Sequence, residues 1–164
     1  MRTYLSACLA ALVFGVAAPA LAHDKTPAPR SSASTSVPAA AREAVAVVDA
    51  FHRALRRGDT AAAAVMLADD AVIYESGGAE RSRAEYASHH LAADAAFSKT
   101  TQSVINRRSA QAIGNFAWIA TESTTNGSFE GRAINSVGTE TMVLRRAGAS
   151  WRIVHIHWSS ARTK

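Results

Sequence analysis

Trp151-Arg152-Ile153-Val154-His155-Ile156-His157-Trp158-Ser159 is dense in β-branched and aromatic residues and reads as a strand. Gly148 marks a turn just before it, and residues 137–146 on the other side of that turn have the same character. The two segments predict a hairpin at the end of the chain. Residues 101–109 and 116–125 read as two further strands, with Gly114-Asn115 and Asn126-Gly127 as turn signals. The expectation for this half of the chain is a four-strand antiparallel meander.

The preceding residues change period. Ala44, Val47, Val48, Phe51 and Leu55 recur at the three-four spacing of an amphipathic helix, and Gly58 is its stop signal. Asp59 caps a second short helix over 61–67. Asp69-Asp70 closes it and leads into a short strand, 71–75, which Gly77-Gly78 breaks. Ser82 and Glu85 have the spacing of a capping box and start a third helix that runs to about Phe97. Three helices around one strand, followed by a meander, predict an α+β fold.

The N-terminus has the parts of a secretory signal: Arg2, an apolar run over 5–18, and the small-x-small site Ala20-Leu21-Ala22. Residues 1–22 are expected to be removed, leaving a periplasmic or secreted chain with no membrane association. Leu5-Ser6-Ala7-Cys8 has the wrong order for a lipoprotein signal, because the apolar run follows the cysteine. Residues 23–38 are rich in Ser, Thr, Ala and Pro and read as a flexible linker, with one domain over 39–164. Cys8 is the only cysteine, so the processed chain would have no disulfide and no thiolate chemistry. Net charge is +5, with the basic pairs Arg56-Arg57, Arg107-Arg108 and Arg145-Arg146 dispersed rather than gathered into a stripe. That pattern reads as solvated surface and argues against a nucleic-acid partner.

The element order, the closing segment 151–159 and the run Phe51-His52-Arg53-Ala54-Leu55-Arg56-Arg57-Gly58-Asp59 resemble the NTF2-like superfamily, most closely its SnoaL-like or DUF4440 branch. The resemblance implies a cone-shaped fold, three N-terminal helices packed on a curved antiparallel sheet with a pocket at the open end. The fold serves isomerases, cyclases, dehydratases, hydrolases and non-enzymatic binders, so it does not fix the chemistry. It also implies homodimerisation through the outer sheet face, where Arg152, Val154, Ile156 and Trp158 make no clean solvent surface.

Candidate site residues follow from register. An even loop at Gly148 pairs Leu144 with Ile153, Met142 with His155 and Glu140 with His157, which puts Glu140, His155 and His157 on one face with Trp151 and Ile153. An odd loop slips the register by one and sets Glu140 beside Trp158. The even loop is the expectation, because it groups the acid with the histidines. On the third helix, Tyr86, His90, Ala93 and Phe97 share a face flanked by His89 and Asp94, and Asp94 lies four residues from His90. Trp118 and Glu122 share a strand face that points either into the pocket or outward. Tyr74, at the end of the first strand, is expected at the pocket rim, and Met142 in the pocket wall.

Two chemistries suit these residues. His155 or His157 as a base oriented by Glu140 would move a proton on a small, partly apolar molecule without any cofactor. Alternatively, His89, His155 and His157 would hold a divalent ion, zinc, copper or iron, in a non-catalytic ligand- or metal-binding module, although no metal-binding signature is present. The plainer reading is that these side chains only line or pack a pocket.

Overall fold

The computed structural model describes residues 34–163. The expected signal peptide and most of the expected linker lie outside the described residues. Strand β1 (Ser34–Ser36) comes first, then a single 3-10 turn, Ala39–Ala41, and helix α1 (Arg42–Arg57). Ala44, Val48, Phe51 and Leu55 form the buried stripe of α1, as their spacing predicts. Gly58 ends the helix in the left-handed conformation, φ 72°, which glycine adopts without penalty. Asp59 caps α2 (Thr60–Ala64) by accepting from the Ala62 amide at 2.9 Å.

Strand β2 (Leu67–Glu75) is longer than expected, and β3 (Gly78–Glu80) folds back on it through Ser76 and Gly77, both at positive φ. The Ser82–Glu85 capping box forms. Ser82 accepts from the Glu85 amide at 3.0 Å, and the Glu85 carboxylate accepts from the Arg81 amide at 2.7 Å. The expected third helix is two helices, α3 (Arg83–His89) and α4 (Leu91–Thr100), which meet at His90. Four long strands complete the fold: β4 (Thr101–Ile113), β5 (Phe116–Phe129), β6 (Arg132–Ala147) and β7 (Ser150–Arg162).

The seven strands form one sheet in the order β1-β4-β5-β6-β7-β2-β3. It is mixed rather than wholly antiparallel, since β2 runs parallel to β7 and β1 parallel to β4. The sheet is curved, stays open at its edges, and packs the helices on one face.

Asn126-Gly127 is not a turn. It lies within β5, and the turn falls at Glu130-Gly131, both at positive φ, between the paired residues Phe129 and Arg132. Gly127 serves a close approach instead: a Cβ there would lie 2.5 Å from the Thr100 carbonyl oxygen.

The helix-facing surface of the sheet is graded along the strands, in rows of directly paired residues. Ala112, Ala117, Leu144, Ile153 and Leu67 make one apolar row. Ala110, Ile119, Met142, Ile156 and Ile73 make the next, and all five are buried. Each fully buried large aliphatic in these rows contributes about 1.5–3 kcal/mol. The third row is polar: Arg108, Thr121, Glu140, Trp158 and Glu75. Beyond it come Ile105, Ser123, Gly138 and Ser160, then Ser103, Thr125, Ser136 and Arg162. The core thus ends at the third row.

Candidate functional site

A cavity of about 640 Å³ opens where the apolar rows stop. Its walls come from the polar rows of β4–β7, from α4 and from one side of α1. On α1 the polar lining residues are Asp49, His52, Arg53 and Arg56, a stripe at i, i+3, i+4 and i+7 beside the buried stripe. Leu55, Phe97, Ile105 and Trp158 give the cavity its apolar surface.

Glu140 is the centre of the site. It is 9% exposed and lines the cavity. His52 Nε2 lies 2.8 Å from Glu140 Oε2, and the Trp158 indole Nε1 donates to the same oxygen at 2.8 Å. Glu140 Oε1 is buried and has no hydrogen-bond partner among the described residues. Burial works to raise the pKa of this carboxyl. The charge and hydrogen bond of His52, the Trp158 donor and the charge of Arg108 outweigh it and hold the group below its ordinary range.

Arg108 sits two places along the same row and is 6% exposed. It donates through Nε to Thr121 Oγ1 at 3.1 Å and through Nη1 to Asp49 Oδ1 at 2.7 Å. Half of the Arg107-Arg108 pair is therefore buried structure, not the solvated surface expected of it.

A second acidic group lies at the α4 and β2 side of the cavity. Asp94 Oδ2 accepts from the buried Tyr86 hydroxyl at 2.6 Å. Burial raises the pKa of Asp94 despite that bond, and burial followed by the charge of Asp94 raises that of Glu75. Burial and the Asp94 charge also push the Tyr86 phenol upward. His90 does not bond Asp94 as its spacing suggested. The break between α3 and α4 leaves its Nδ1 bonded to the buried carboxylate of Glu80.

The last hairpin combines both registers considered from sequence. Its loop is even: Ala147 pairs with Ser150 around Gly148-Ala149, and Leu144 faces Ile153. A bulge then intervenes, with Val154 the extra residue, so Val143 faces His155, Met142 faces Ile156, Thr141 faces His157 and Glu140 faces Trp158. The bulge keeps Trp151, Ile153 and Ile156 buried and turns Trp158 inward as well. His155 and His157 consequently lie on the opposite face from Glu140, and the expected grouping does not form. His155 Nδ1 is 3.0 Å from the Val72 carbonyl oxygen, and Tyr74 meets both histidine rings edge-on, at 5.3 and 6.5 Å between centroids.

The other expected pocket residues fall elsewhere. Tyr74 is 45% exposed on the outer face with the two histidines. Trp118 and Glu122 point outward because Ala117, Ile119 and Thr121 take the inner side of β5. Met142 is core, Tyr86 packs behind the cavity against Trp158, and His89 is exposed near the end of α3. Among the described residues, no three His, Cys, Asp or Glu side chains come together as metal ligands would. His52 is not among the candidate residues that strand register and helix spacing single out. The i, i+3, i+4, i+7 recurrence of Asp49, His52, Arg53 and Arg56 was the signal for it.

Comparison with known proteins agrees with this architecture. The model of the SnoaL-like domain matches residues 44–163. A crystal structure of a candidate ketosteroid isomerase from Shewanella frigidimarina NCIMB 400 is 38% identical, covers 77% of this chain and 100% of its own, and superposes with a TM-score of 0.70. A candidate calcium/calmodulin-dependent protein kinase II association domain from Xanthomonas campestris has the same fold at 24% identity, with 74% and 87% covered and a TM-score of 0.63. A candidate dehydratase of the NTF2-like family from Streptomyces avermitilis does so at 16% identity, with 74% and 96% covered and a TM-score of 0.62. Nothing among curated proteins matches. With the family model spanning the described domain, the chain belongs to the SnoaL-like family of the NTF2-like superfamily.

Proposed function

We propose that this protein is exported and uses its cavity to move a proton on a small, partly apolar molecule, without a cofactor, through the His52–Glu140 pair. The observation that carries the reading is the buried Glu140 carboxylate in the cavity wall, with one oxygen held by His52 and Trp158 and the other buried without a partner among the described residues. An ionised Glu140 accepting from His52 Nε2 fixes the tautomer that leaves Nδ1 free to take a proton. The same carboxylate then stabilises the imidazolium that forms. The relatives described as a candidate isomerase and a candidate dehydratase fit this class of reaction.

The test is solvent deuterium incorporation into a panel of small carbonyl compounds. The wild type should exchange α-protons, and Glu140→Gln and His52→Gln should each lose about 10²–10⁴-fold of that rate with the fold intact. No exchange by the wild type, beside saturable binding of a panel member, would favour a non-catalytic binding module.

Export rests on Arg2, the apolar run and Ala20-Leu21-Ala22. Sequencing the N-terminus of protein recovered from the periplasm should give His23 first. Dimerisation rests on the outer sheet face, where Trp118, Val143, His155 and Val72 are paired across four strands beside the exposed Tyr74. Light scattering should give a dimer mass that Trp118→Glu halves.

A further inference from the structure

The two rows beyond Glu140 say what kind of molecule the cavity takes. Ser103 and Thr125 bond each other at 2.7 Å. Ser123, Ser136 and Ser160 line the same wall, and among the described residues their hydroxyls make no side-chain hydrogen bond. These three share the inward parity of Thr121 and Glu140, one or two rows further toward the mouth. A hydrocarbon laid on them would strip water from hydroxyls without replacing its hydrogen bonds, which is unfavourable. A hydroxylated ligand restores those bonds.

The charges point the same way. Asp49 is paired with Arg108, Glu140 with His52, and Asp94 with the Tyr86 hydroxyl. Among the described residues, Arg53 and Arg56 line the cavity with no carboxylate within ion-pair distance. Among the described residues, the lining carboxyls Glu75 and Asp94 have no ion-pair partner, and burial favours the neutral form of each. Two arginines without a carboxylate partner among the described residues therefore line the same cavity as the three serines. Trp158 and Phe97 supply flat surface for the C–H faces of a small molecule.

We infer that the ligand is a small hydroxylated acid, its carboxylate held by Arg53 and Arg56 and its hydroxyls by Ser123, Ser136 and Ser160, rather than a steroid-like hydrocarbon. The inference takes the cavity of the proposed function as the binding site, but not its proton transfer. A volume of about 640 Å³ accommodates such a molecule with water to spare.

Calorimetric titration of the purified protein tests it with glucuronate, gluconate and tartrate as hydroxy acids. Glucose keeps hydroxyls without the carboxylate, hexanoate keeps the carboxylate without hydroxyls, and androst-5-ene-3,17-dione serves as the steroid. At least one hydroxy acid should bind saturably and at least about tenfold tighter than the other three probes. The double variant Arg53→Ala, Arg56→Ala should weaken that acid at least about tenfold, and Ser123→Ala with Ser136→Ala should also weaken it. Unchanged melting temperatures verify that the variants fold. Failure of all three acids to bind, a steroid or hexanoate bound as tightly, or an acid indifferent to the arginine substitutions overturns the inference. Deuterium incorporation separates the two proposals. An acid that binds but never exchanges keeps the ligand class and removes proton transfer, whereas a steroid that exchanges does the reverse.

Discussion

Glu140 and Trp158 face each other across the last hairpin, and the indole Nε1 donates to carboxylate Oε2 at 2.8 Å. The contact exists because β7 carries one extra residue, Val154, between Ile153 and His155. Without that bulge the residue opposite Glu140 would be His157.

The ionisation of Glu140 should support the fold at neutral pH. Its folded pKa lies below the ordinary value of 4.5, so the stability it contributes is present above that value and is lost as pH falls through the folded pKa. The stability gap between the wild type and Glu140→Gln should therefore be widest near pH 7 and shrink on acidification below about pH 4.5. Urea unfolding at a series of pH values measures it. A gap independent of pH would mean the carboxylate is not held ionised by its partners.

Asp94 should behave in the opposite sense. Burial raises its folded pKa above the ordinary value of 3.8, so its contribution is complete below that value and is lost as pH rises through the folded pKa. Asp94→Asn, which keeps an acceptor for the Tyr86 hydroxyl, should gain on the wild type as pH climbs from about 4 to 7. Paired melting curves across that range would show the two variants, at residues 94 and 140, diverging in opposite directions.

Gly127→Ala should destabilise the protein by about 2 kcal/mol or more. The added Cβ would meet backbone, the Thr100 carbonyl oxygen at 2.5 Å and Thr101 Cα at 2.7 Å, from a φ of 151°. Chemical denaturation checks it, and a loss under about 0.5 kcal/mol would show that the start of β4 moves aside freely.

Met142→Ala and Ser136→Ala lie on the same strand and should have very different costs. Met142 is fully buried, so its truncation leaves a cavity and should cost about 2–5 kcal/mol. Ser136 lines the open cavity, and its change should stay within about 0.5 kcal/mol. Equal costs would contradict the division of the sheet into core rows and cavity rows.

Much of the architecture was legible from local chemistry. The stripe of α1, the Gly58 stop, the Asp59 cap and the Ser82–Glu85 box are short-range signals, and each forms. The even loop at Gly148 also forms, but the ground for expecting it, the grouping of Glu140 with His155 and His157, does not hold. The site was less so, because it depends on parity over long strands. No glycine or proline announces the bulge at Val154, where the pairing of β7 with β2 shifts register as well. Gly127 misled because a glycine demanded by a close approach looks the same in sequence as one demanded by a turn. His52 was not legible because a polar stripe beside the buried stripe of α1 looks the same in sequence whether it meets solvent or a cavity.

The graded inner face of the sheet has an evolutionary consequence. On the proposed reading of the cavity, stability and ligand choice are written into different stretches of the same four strands, divided at the row that holds Arg108 and Glu140. Substitutions on the mouth side, at residues such as Ser123, Ser136 and Ser160, would then redirect recognition without drawing on the folding free energy supplied by Ile119, Met142 and Ile156. Such a scaffold can acquire new ligands by drift along one end of its sheet while the other end keeps it folded.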